Sequence, residues 1–147
     1  MKILVDTAAL INAMGDAVIV CDAKGFITLW NPACERIFGF TESDALGQSL
    51  DMIIPQRQQQ RHWDGYSKTM QTGVTKYGND LLKVPALHKD GHTLSIAFTV
   101  AMLHAADGSV NGIAAVVRDE TARFGQERDL RKRVQELEAQ LGASTRS

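Results

Sequence analysis

The sequence predicts an α+β fold: a five-stranded antiparallel sheet with helices on one face, followed by an amphipathic, coiled-coil-like helix at the carboxyl end. Three observations predict it. Two short β-branched and aromatic runs, Ala17 to Cys21 and Phe26 to Trp30, flank the tight-turn sequence Asp22-Ala23-Lys24-Gly25. Three longer strand-like runs joined by Asp-Gly turns occupy the second half of the chain. Between the two groups the apolar residues recur at helical spacing, and after residue 121 leucines and a valine recur four, three and four residues apart.

Composition bounds this reading. A chain of 147 residues with 44% hydrophobic and 22% charged residues makes one globular unit, too short for a second catalytic domain. Its 16 basic and 17 acidic residues nearly cancel, so no net field draws it to nucleic acid or to a membrane surface. The two cysteines, Cys21 and Cys34, form no CxxC spacing, and the first twenty residues contain Asp6, Asn12 and Asp16, which interrupt any leader or membrane-spanning run. A cytoplasmic protein is expected. The predicted organisation is a helical cap over residues 1–15, a domain over 16–121, and a signalling helix with a frayed tail over 122–147.

Each element has a local cause. Asp6 or Thr7 caps a helix that runs to about Met14. Asn31-Pro32 supplies an N-cap and a first-turn proline to a helix ending at Gly39, and Thr41-Glu42-Ser43-Asp44 offers a capping arrangement to a second, which Gly47 closes. After the apolar anchor Met52-Ile53-Ile54-Pro55, residues 56–72 read as a longer helix with His62, Trp63, Tyr66 and Met70 on one stripe, stopped by Gly73. Strand runs follow from Tyr77 to about Leu87, from Thr93 to Leu103 and from Val110 to Val117. In the middle run Leu94, Ile96, Phe98, Val100 and Met102 alternate with smaller or polar residues, which points one face at the core.

Trp30-Asn31-Pro32-Ala33, Glu35, Phe38-Gly39-Phe40, Gly47, Ile54-Pro55, Lys89-Asp90-Gly91 and Arg118-Asp119-Glu120-Thr121 occur in an order and spacing that closely resembles the PAS sensor family, from about Thr7 to Thr121. The resemblance implies the PAS fold, a sensory role, and a signal that passes through the last strand and Asp119 into the exit helix. The stretch from Ile54-Pro55 through Arg61-His62-Trp63-Asp64-Gly65-Tyr66 to Thr72-Gly73 is similar to the haem-binding, FixL-like branch of that family. It implies haem b with His62 as the axial iron ligand, Tyr66 and Met70 on the same stripe of the pocket, and Lys68 and Lys76 as propionate partners. Where that branch carries a distal arginine this chain has Leu82, and where a related phosphodiesterase sensor carries a methionine ligand it has Asp80. A leucine-lined distal side favours CO or NO over oxygen, unless Trp63 or Asn79 supplies a donor. The competing reading is a cofactor-free or small-organic-ligand PAS module for dimerisation and relay.

Other chemistry finds less support. His88 and His92 straddle Asp90-Gly91, so the spacing of helical metal ligands is lost and they read as solvated turn residues. His104 ends a strand beside a turn and reads as exposed, and Cys34 reads as packing. The long helix has no cysteine for covalent flavin photochemistry, and no nucleophile elbow, P-loop or dinucleotide turn occurs, so an enzyme is not expected. A homodimer is expected through the amino-terminal helix (Ala8, Ala9, Leu10, Ile11, Met14) and the seam Leu130, Val134, Leu137, Leu141, because so short a seam needs a partner. The effector then acts in trans, or the chain is a piece of something longer.

Overall fold

The computed structural model describes residues 3–74 and 80–145. Helix α1 (Thr7–Ala13) is capped by the Asp6 side chain, which accepts from the Ala9 amide at 3.1 Å. Strands β1 (Ala17–Asp22) and β2 (Ile27–Trp30) form the first hairpin. Its turn is organised by Asp22, whose carboxylate accepts from the Lys24 and Phe26 amides, and by Gly25 at φ +88°. Helices α2 (Pro32–Phe38) and α3 (Glu42–Ala45) follow, the second opened by the reciprocal Thr41–Asp44 capping box. A 3₁₀ turn (Leu50–Ile53) leads into α4 (Gln56–Thr72), which ends at Gly73 in the left-handed region.

The second half carries β3 (Leu82–Leu87), β4 (Thr93–His104) and β5 (Val110–Asp119), then the single long helix α5 (Thr121–Thr145). The sheet is antiparallel with spatial order β2-β1-β5-β4-β3, so the first and last strands of the domain pair at its centre. The five-strand expectation and the exit helix are therefore correct. One boundary differs: the run expected from Tyr77 begins at Leu82 among the described residues, Asp80 and Leu81 lying outside any strand, while Tyr77 falls outside the described residues.

Register places the core. Ala17 pairs with Val117, Val117 with Phe98, and Phe98 with Leu82, so one row crosses four strands on the inner face; Ile19, Ala115 and Val100 form the next. The helices cover this face unevenly. Under α2 and α3, Trp30, Ala33, Cys34, Phe38 and Ala45 are fully buried, and the Trp30 and Phe38 rings lie 5.5 Å apart. Leu94, Ile96 and Val117 are buried too. Leu82, Phe98, Val100, Met102, Ile113 and Ala115, at the other end of the same face, are only half-buried.

Candidate functional site

Helix α4 is fixed by two aromatic side chains. Tyr66 donates its hydroxyl to the Asp22 carbonyl of the first hairpin. Trp63 packs against Gly25, where a β-carbon would come within 2.1 Å of its ring, and donates its indole N–H to Asp51 at 2.5 Å. Both anchors act through the first hairpin and the 3₁₀ turn. Two surface clefts are found among the described residues. One of about 420 Å³ is lined by Phe40, Asp44, Gln48, Ser49, Asp51, Met52 and Lys89, and a smaller one sits between α1 and β2.

His62 occupies the stripe the sequence assigned it. Its ring packs edge-on to Trp63 with centroids 4.6 Å apart and tilted against Tyr66 at 5.8 Å. Its Nδ1 is buried without a hydrogen-bond partner, and so is the Oε1 of Gln58, one helical turn earlier. Burial lowers the imidazole pKa below 6.5, an effect that the nearby Asp51 carboxylate partly opposes, so the ring is neutral at pH 7. A neutral imidazole with an uncommitted nitrogen is the form that binds a metal, so His62 fits that one requirement of an axial ligand.

The remaining predicted residues are distributed as follows. Tyr66 is buried and Met70 half-buried against the core. Lys68 is exposed on α4. Leu82 is half-buried at the start of β3, opposite Phe98. Lys76 and Asn79 lie outside the described residues. Trp63 is unavailable as a distal donor, because Asp51 takes its N–H and it stands beside His62 on the same helix. Cys34 is packing, as expected: it donates to the Val18 carbonyl, and desolvation raises its thiol pKa to about 12. His88 and His92 sit at the turn as expected, with His92 exposed. The hairpin end stacks their rings with centroids 4.5 Å apart, and His88 is half-buried.

Sequence reasoning missed the joinery at the output end. The Asp119 carboxylate accepts from the Thr121 amide at 3.0 Å and hydroxyl at 2.6 Å, and the Thr121 hydroxyl oxygen accepts from the Ser95 amide at 2.9 Å. Glu120 donates its amide to the Ser95 carbonyl at 2.8 Å. The end of β5, the start of β4 and the first turn of α5 thus share one hydrogen-bonded junction. The Asp-Glu-Thr sequence marked the position, but the Ser95 partner is set by strand register alone.

The family model described as the PAS fold matches residues 6–119. Among curated proteins, one of Azorhizobium caulinodans, described as uncharacterized, is 34% identical over 125 residues, which cover 84% of this chain and 17% of that protein. The sensor protein FixL of Bradyrhizobium diazoefficiens is 28% identical over 134 residues, covering 90% of this chain and 25% of FixL. The oxygen sensor protein DosP of Escherichia coli is 24% identical over 121 residues, covering 82% and 15%. This chain thus spans a quarter or less of the length of these relatives. Among solved structures, the PAS domain of a Colwellia psychrerythraea protein superposes with a TM-score of 0.69 at 24% identity, over 79% of this chain and 95% of that one.

Proposed function

This chain belongs to the PAS family, and from that premise we propose that it is a haem-binding sensor domain in which His62 is the axial ligand. Its role as a sensory, signal-transduction domain follows from the family. One observation supports the haem reading above the rest: a neutral imidazole on α4 with a buried nitrogen that no group among the described residues satisfies. Similarity to FixL and DosP points the same way. Haem supplies an iron that takes a diatomic gas or changes oxidation state.

The chain's own residues set the rest. Lys68, and with it Lys76, offers charge to the propionates, while Tyr66 and Met70 wall the helical side and Leu82 the sheet side. An apolar Leu82 gives bound oxygen no donor, so CO or NO is the favoured ligand. Strain on the inner face of β5 reaches α5 through the Asp119–Thr121 junction. On α5 the seam residues Leu130, Val134, Leu137 and Leu141 are 47–69% exposed, and Leu10 of α1 is 53% exposed; we assign both surfaces to a homodimer whose output is read by an effector protein or a fused domain. Reconstitution with haem tests the cofactor: a Soret band that His62→Ala abolishes supports the assignment, and absence of any band overturns it. Sedimentation tests the dimer, with Leu137→Glu expected to shift it to monomer.

A further inference from the structure

The β3–β4 hairpin ends in His88-Lys89-Asp90-Gly91-His92. His88 and His92 stand opposite one another at the mouth of the turn, tied by the His88 amide donating to the His92 carbonyl at 3.0 Å. Gly91, at φ +93°, lets the chain reverse between them. The two imidazoles stack at an interplanar angle of 20°, and the Asp90 carboxylate folds back between them. Its Oδ1 lies 3.1 Å from His88 Nδ1 and in close contact with His92 Nδ1. The three donor atoms all fall within 4.8 Å of one another.

We propose that this turn is a binding site for a divalent transition ion of the zinc type, held by His88 Nδ1, Asp90 Oδ1 and His92 Nδ1. In a tetrahedral zinc site the Zn–N and Zn–O bonds of about 2.0–2.2 Å put neighbouring donors about 3.3–3.6 Å apart, so the 3.1 Å His88–Asp90 separation widens slightly and the closer His92–Asp90 contact opens further when the ion enters. Two imidazoles and one carboxylate suit zinc, copper or nickel over the all-oxygen preference of calcium and magnesium.

The site is built as well as assembled. The His88 ring nests against Gly39, where a β-carbon would lie 2.6 Å from its Cε1 and 2.7 Å from its Nε2, so Nδ1 is the nitrogen that faces Asp90; there it accepts from the Asp90 amide at 3.1 Å, a bond that metal binding replaces. The following residue is pinned to α2, Lys89 donating its amide to the Phe38 carbonyl at 2.8 Å. The Lys89 ammonium is drawn aside by Asp44 at 3.4 Å, which removes the neighbouring positive charge from the metal position. His92 is exposed, which leaves an entry path and an open coordination position for water or a partner's ligand.

Titration calorimetry of the whole chain with zinc alone is expected to show one equivalent bound per protomer, and Co²⁺ substitution to give the visible bands of a tetrahedral site. His92→Ala, at an exposed position, and Asp90→Asn are each expected to weaken zinc about 100-fold, with circular dichroism unchanged. His62→Ala is expected to leave zinc binding intact, which separates this site from the haem assignment. No binding by the wild-type chain at millimolar zinc, or equal binding by His92→Ala, overturns the proposal.

Discussion

Asn31 and His62 are polar side chains set into the same domain, and the protein treats them oppositely. Asn31, 1% exposed, is saturated: its Oδ1 accepts from the Val18 amide at 2.9 Å and the Cys34 amide at 3.3 Å, and its Nδ2 donates to the Ile11 and Asp16 carbonyls at 3.0 and 3.1 Å. One side chain thereby joins α1, β1 and α2. His62, on α4 beside its two aromatic anchors, has a buried nitrogen with no partner among the described residues. A satisfied buried group holds a fold together, whereas an unsatisfied one costs stability.

Replacing each residue by a leucine of similar size sharpens that contrast. Asn31→Leu leaves the Val18 amide and two carbonyls without their partner and removes the α2 cap, so it is expected to lower stability by about 3 kcal/mol and the melting temperature by roughly 10 °C. His62→Leu removes a desolvated nitrogen and is expected to raise the stability of the haem-free chain by about 1 kcal/mol in denaturant titration, while abolishing the Soret band. A destabilisation equal to that of Asn31→Leu would show that His62 is merely structural.

The same histidine has a pH signature. Its pKa in the folded chain lies below the 6.5 of the unfolded chain, so the unfolded state takes up the proton first. Its contribution to stability is complete above pH 6.5 and declines as pH falls through the window beneath it. Denaturation midpoints of wild type are expected to drop more over that window than those of His62→Leu. The smallest effect is expected of Tyr66→Phe. The Asp22 carbonyl keeps the Gly25 amide at 3.0 Å, so the loss stays under about 1 kcal/mol.

Much of the fold was legible because its signals are local. The Asn31-Pro32 start of α2, the Thr41–Asp44 capping box, the Gly73 stop and the alternation of β4 each depend on residues a few positions apart. One local reading differs: among the described residues the strand expected from Tyr77 starts at Leu82. The His88–His92 turn, exposed at His92 as expected, also stacks its two rings because hairpin strands place opposite residues side by side. Sequence spacing ruled out helical ligand geometry correctly but carried no information on cross-strand geometry.

By itself the sequence determined the element order, the caps, the inner-facing positions of β4 and the helical stripe bearing His62, since all of these follow from backbone period and side-chain chemistry within a few residues. Only the tertiary structure decided which polar groups are satisfied. Asn31 meets Ile11 and Asp16, Ser95 meets Thr121, and His62 meets no hydrogen-bond partner at Nδ1, because burial and partnership depend on groups brought together from 15 to 26 positions away or left apart.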